Sequence, residues 1–84
     1  MSSAVEWIYR KIRRAQRDRG TPGRETFTVR IRGGTARVVC NNLYKVYVEA
    51  TYEDGHVKTW IRQTMTAAEL LVRLGAEGGN DEKS

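Results

Sequence analysis

Thr26-Phe27-Thr28-Val29-Arg30-Ile31-Arg32-Gly33-Gly34-Thr35-Ala36-Arg37-Val38-Val39-Cys40 is the stretch whose reading decides the fold. Its first seven residues put Phe27, Val29 and Ile31 on one side and Arg30 and Arg32 on the other, the period of two expected of a half-buried strand. Gly33-Gly34 then supplies the two positive-φ residues that a type I′ hairpin demands. That turn sets Arg32 opposite Thr35 and pairs Ile31 with Ala36, Val29 with Val38 and Phe27 with Cys40, three apolar pairs that agree with one register. It also sets Arg30 directly across from Arg37.

Further along, Asn41-Asn42-Leu43 reads as a three-residue loop, because Asn tolerates the left-handed conformation such loops use. It pairs Cys40 with Tyr44, Val38 with Val46 and Ala36 with Val48, whereas a two-residue loop would bury Lys45 against Val38. Asp54-Gly55 is the strongest short hairpin signal in the chain; as a two-residue turn it pairs Tyr52 with Val57, Ala50 with Thr59 and Val48 with Ile61. Thr26 to Gln63 is thus expected to form a four-stranded antiparallel meander.

Two helices flank it. Ser3-Ala4-Val5-Glu6 has the form of a capping box and opens a helix to about Arg19, stopped by Gly20. At about 100° per residue Val5, Ile8, Tyr9, Ile12 and Ala15 share one stripe, and Trp7, Arg10, Arg14 and Arg17 share the opposite one, with Lys11 and Arg13 at its flanks. Gly20-Thr21-Pro22-Gly23-Arg24 is a turn cluster. Thr66-Ala67-Ala68-Glu69 is a second capping box, starting a helix through Leu74 that ends at Gly75, with Leu70, Leu71 and Leu74 on its apolar stripe. The expected fold is α+β, in the order α-β-β-β-β-α. Both helices should lie on the face carrying Phe27, Val29, Ile31, Val38, Val46, Val48 and Ile61. Residues 1–75 form one domain and 76–84, without periodicity or apolar anchors, a disordered tail.

At 84 residues the chain has room for one modest core. It is 39% hydrophobic and 30% charged, too apolar for an intrinsically disordered protein. No apolar run approaches the roughly 20 residues of a membrane span and no leader pattern is present, so a cytoplasmic protein without membrane contact is expected. One Cys and one His exclude an internal disulfide and leave no ligand set for a structural metal; no cofactor is expected.

Charge is uneven. Residues 1–45 hold nine Arg and two Lys against Glu6, Asp18 and Glu25, or 11 − 3 = +8; residues 46–84 hold four basic and seven acidic residues, or 4 − 7 = −3. Arg forms bidentate contacts with phosphate and carboxylate and stacks on flat rings, so an arginine-rich front half points to nucleic acid or an acidic protein surface.

Carrying the three registers across the sheet gives an outer face with Arg30, Arg37, Tyr47 and Arg62 in one row. Arg32, Thr35, Glu49 and Trp60 make the next, and Thr28, Val39 and Lys45 a third. Arg30 opposite Arg37 is unfavourable for a sheet by a few tenths to about 1 kcal/mol, which an anion would offset. Cations for phosphates and π faces for unstacked bases are what a nucleic-acid platform needs. Trp7 with Arg10, Arg14 and Arg17 forms a second basic surface on the first helix. Against this stands the ordinary reading of each feature: a solvated Arg face with cation–π contacts, a self-association surface, Cys40 as a small buried hydrophobe and His56 in a surface pair with Glu53.

The functional expectation is a small non-enzymatic nucleic-acid-binding module, for DNA or RNA, working through the basic, aromatic-bearing open sheet face. The alternative is a protein-binding inhibitor or adaptor of the kind carried by phages and plasmids, docking its basic face on an acidic surface of a larger complex. A symmetric homodimer is compatible with either. An enzyme is not expected, because no acid–base pair, metal cluster or phosphate loop can be assembled from one His, one Cys and scattered carboxylates.

Overall fold

The computed structural model describes residues 3–76. Helix α1 (Ser3–Arg17) is followed by strands β1 (Thr26–Ile31), β2 (Gly34–Val39), β3 (Lys45–Tyr52) and β4 (Val57–Gln63), and by helix α2 (Thr64–Arg73). The strands form one open antiparallel sheet in the order β1-β2-β3-β4, so the α+β meander expected from the periodicity is the observed architecture. One core joins Ile8, Ile12 and Ala15 of α1 and Ala67, Leu70 and Leu71 of α2 to a single face of the sheet, where Ile31, Ala36, Val38, Val46, Val48 and Ala50 are buried. Both helices therefore cover the same side.

All three hairpins differ in register from expectation, and at the first and third the difference goes with which residue takes positive φ. Among the described residues only Gly23, Gly33, Gly55 and Gly75 do so. The first turn is Arg32-Gly33, with Ile31 opposite Gly34 and Arg30 opposite Thr35. One positive-φ residue at its second position is the type II pattern, not the I′ pattern that Gly33-Gly34 would have built. Gly34 is instead a strand residue, and it has to be small: a Cβ there would run into the Thr51 carbonyl oxygen and the Tyr52 Cα.

The second connection is longer than three residues. Asn42 makes an Asx turn, its Oδ1 accepting from the Tyr44 and Lys45 amides at 2.7 and 3.1 Å, and Val38 faces Val48. Both of these shifts are by two residues, so each side chain keeps its expected face.

The third shift is by one residue and reverses a strand. Tyr52 bonds His56, its amide donating to the His56 carbonyl at 3.0 Å, which makes Glu53-Asp54-Gly55 a three-residue loop closed by Gly55 at φ 96°. A two-residue Asp54-Gly55 turn of type I′ would force positive φ on Asp54 as well; the longer loop asks it only of Gly55. In consequence Val48 faces Trp60, Val46 faces Arg62 and Tyr47 faces Ile61. Every side chain of β4 lies on the opposite side from the one expected.

The helices also end differently. Ser3 is already helical, so a position capping α1 lies outside the described residues, and the helix stops at Arg17. Helix α2 follows β4 with no loop, starting two residues before the expected cap. Thr66 sits inside its first turn and donates to the Gln63 carbonyl at 3.0 Å, so the second capping box does not form. Its far end closes as expected at Gly75: the Ala76 amide donates to the Leu71 carbonyl at 2.9 Å and the Gly75 amide to Val72 at 3.0 Å, a Schellman motif. Ala76 is buried in the core, and the expected disordered tail otherwise lies outside the described residues.

Gln16 ties these parts together from inside the core. Fully buried, it donates through Nε2 to the Asn42 carbonyl at 2.8 Å and to Thr64 Oγ1 at 3.0 Å, while its Oε1 accepts from Arg13 at 2.9 Å. The end of α1, the β2–β3 loop and the start of α2 thus meet on one amide.

Candidate nucleic-acid interface

The expected row of Arg30, Arg37, Tyr47 and Arg62 does not exist. Arg30 lies across from Thr35, and Arg37 lies across from Glu49, with Nη1 at 3.7 Å from Oε1. The like-charge contact that argued for an anion on the sheet is replaced by an ion pair between partly exposed groups, an interaction of about 0–1 kcal/mol. Trp60 and Arg62 belong to the helix-covered side: Trp60 packs half-buried against the core, and Arg62 is exposed at the sheet edge, its Nη1 donating to the Ile61 carbonyl. Arg32 is in the β1–β2 turn, where its amide donates to the Leu74 carbonyl at 2.9 Å.

What the open face does present follows from the registers. One row is Thr26, Val39, Tyr47 and Ile61; the next is Thr28, Arg37, Glu49 and Thr59; the third is Arg30, Thr35, Thr51 and Val57. Lys45 lies at the end of β3 beside Gln63. The face is less basic and more apolar than expected. Ile61 is 62% exposed and Val57 51%, and both lie on the side opposite to the one a two-residue Asp54-Gly55 turn would give them.

Helix α1 keeps its expected amphipathic division. Trp7, Arg10, Lys11, Arg14 and Arg17 fall within a sector of about 120°, opposite the buried stripe of Ile8, Ile12 and Ala15. Trp7, Arg10, Lys11 and Arg14 line an open depression of about 360 Å³ on this side. Trp7 is half-buried rather than free-standing, packed against the core with the Lys11 ammonium 5.2 Å from its ring centroid and 5.1 Å from that of Phe27. The lysine thereby tethers α1 to β1 by cation–π contact.

The arginines of this region divide by what they hold. Arg13 donates to Gln16 and to the Leu43 carbonyl, and Arg19 to the Gln16 carbonyl. Arg10, Arg14 and Arg17 are exposed, and their guanidinium groups make no hydrogen bond or ion pair to any of the described residues. Lys11 was visible in the sequence only as a flank of this stripe; its place between two rings could not be read without knowing that Phe27 lies beneath α1.

Remaining chemistry is sparse. Among the described residues no group of three His, Cys, Asp or Glu could hold a metal ion. Cys40 is fully buried and burial pushes its thiol up to about 12, which suppresses the thiolate. His56 pairs with Asp54, not with Glu53, and stacks on Tyr52 with ring centroids 4.5 Å apart and planes 14° from parallel. No helix among the described residues is long and apolar enough to cross a membrane. No family model matches this chain, and neither a curated protein nor a solved structure matches it.

Proposed function

We propose that the chain is a small non-enzymatic nucleic-acid-binding module that lays α1, not the open sheet, along a phosphate backbone. The observation that carries this reading is the set of three guanidinium groups, Arg10, Arg14 and Arg17, that have no partner among the described residues and stand at helical spacing on an exposed face. Unpaired cations held near one another on a rigid element cost repulsion that anionic phosphates relieve, and releasing counterions from those phosphates drives binding. Arg10 and Arg17 are separated by about 10 Å along the helix axis, a span of about three phosphate intervals of one duplex strand at ~3.4 Å of duplex axis each. At the end of the stripe, the uncovered part of Trp7 offers a ring surface beside Arg10. A cytoplasmic location goes with this role.

An electrophoretic shift series with duplex and single-stranded oligonucleotides tests the proposal. Binding at low ionic strength that weakens as salt rises is the expected result; absence of binding to both probes overturns it. The same stripe would serve a phage- or plasmid-borne adaptor that docks on an acidic protein. That reading expects a stable protein complex and no affinity for bulk nucleic acid.

A further inference from the structure

We propose that the open face of the sheet is a homodimer interface, in which a second copy of this chain packs face to face with the first about a two-fold axis running along the strands between β2 and β3. The inference stands on the sheet face alone and does not need the role assigned to α1.

The middle row of this face is Thr28-Arg37-Glu49-Thr59. Arg37 and Glu49 sit on either side of the β2–β3 seam. A half-turn about an axis along that seam lays β2 over the partner's β3 and β1 over the partner's β4. Each Arg37 then faces a Glu49 of the other copy, so the two existing ion pairs merge into a four-charge cluster in which every neighbour is of opposite sign. The row beside it is apolar in the same symmetric sense: Val39 meets Tyr47 across the interface and Tyr47 meets Val39. The outer strands bring Ile61 over Thr26, and Val57 over the aliphatic stem of Arg30, whose charged end is left at the rim.

This placement also accounts for the exposed apolar side chains. Of the three large hydrophobic residues most exposed among those described, Ile61 and Val57 lie on this face. Aligned face-to-face packing of two sheets about 10 Å apart is the arrangement that covers such side chains. Lateral association through β4 is disfavoured by comparison. The edge strand carries Lys58 and Arg62 symmetrically about Trp60, and antiparallel pairing of two copies there sets these like charges opposite one another. The isologous requirement that one patch complement itself is met by the face and not by the edge.

Four strands at about 4.8 Å spacing and six residues at about 3.3 Å rise give a footprint of roughly 19 by 20 Å. That is smaller than the ~800 Å² per partner of a standard interface, so the dimer should be reversible, with dissociation in the micromolar range. The assembly is a helix–sheet–sheet–helix stack. It places the two α1 helices on its opposite outer layers, so that their basic stripes are presented in opposite directions.

Sedimentation equilibrium over a micromolar concentration series, with circular dichroism to establish folding, decides the matter. The wild-type mass should rise from 9.6 kDa toward twice that value. Glu49→Arg alone and Arg37→Glu alone each place like charges across the axis and should stay monomeric throughout. Mixed in equal amounts, the two variants face each other with opposite charges again, and the dimer mass should return. The proposal is overturned if the wild type remains monomeric at all concentrations, if either variant dimerises as the wild type does, or if the folded variants stay monomeric when mixed. An Arg37→Glu change that weakens oligonucleotide binding while leaving the mass unchanged would equally overturn it, and would assign the face to nucleic acid.

Discussion

Trp60 stands opposite Val48 across β3 and β4, and that one pairing turns the indole toward the helices and Ile61 toward solvent. Its origin is a single glycine. Gly55, at φ 96°, closes a three-residue loop, and the extra residue relative to a two-residue turn inverts the facing of the whole edge strand.

Substituting Gly55 by Ala should therefore destabilise the fold by about 1–2 kcal/mol, since an L side chain is strained at that φ. Gly34→Ala should cost more, because its Cβ collides with the backbone of β3. Gly20, with ordinary φ and nothing within 4 Å of an added Cβ, is the control and should change by less than about 0.5 kcal/mol. Urea midpoints at constant m-value give the ranking.

Gln16→Ala leaves the Asn42 carbonyl and the Thr64 hydroxyl without their donor and opens a space at the junction of α1, the β2–β3 loop and α2. A loss of about 2–4 kcal/mol is expected from the unsatisfied groups and the cavity together. The same urea titration measures it, and a loss below about 1 kcal/mol would show that the junction does not depend on this amide.

How much of this was legible in the chain is clear from particular residues. Alternation in Phe27-Val29-Ile31 and Ala36-Val38, the apolar stripe of Ile8, Ile12 and Ala15, and Gly75 as a helix stop fixed the elements and their order, because burial enforces those periods locally. Register was harder. The number of residues in a turn depends on backbone angles that neighbouring Gly and Asn residues permit equally well, so Arg32-Gly33 and Glu53-Asp54-Gly55 were not separable from Gly33-Gly34 and Asp54-Gly55. Errors of two residues at the first two hairpins left faces intact; the error of one residue at the third moved Trp60 and Arg62 off the open face. The α1 stripe survived because a helix face depends on spacing within one element and on no register at all.

Cys40 should be inert in the native protein. With the thiol pushed up by burial from 9.0 to about 12, an aromatic disulfide reagent at mildly alkaline pH should react only after denaturant is added. The sign of the linkage follows. Above about pH 9 the unfolded chain loses this proton while the folded chain retains it, so stability falls as pH rises through that range. Cys40→Ala should flatten this alkaline decline.

Asp54 has the opposite sign. The His56 backbone amide, at 3.1 Å from Oδ1, and then the His56 side chain lower its carboxyl below the usual 3.8. A lowered folded-state value stabilises the fold above the unfolded pKa and loses that contribution as pH falls through the folded one. The stability difference between wild type and Asp54→Asn should thus be largest near neutrality and shrink as the solution is acidified through and below the usual carboxylate range, as followed by thermal unfolding at a series of pH values.

The salt dependence of oligonucleotide binding tests the assignment to α1 most directly. Log affinity should fall linearly with log salt, with a slope of about −0.9 for each duplex phosphate neutralised. Replacing Arg10, Arg14 and Arg17 together by Ala should make that slope shallower by about 3 units, while replacing Arg30 and Arg37 should leave it unchanged. A slope that is unaltered in the triple variant, or that collapses when only Arg30 and Arg37 are removed, would contradict the account.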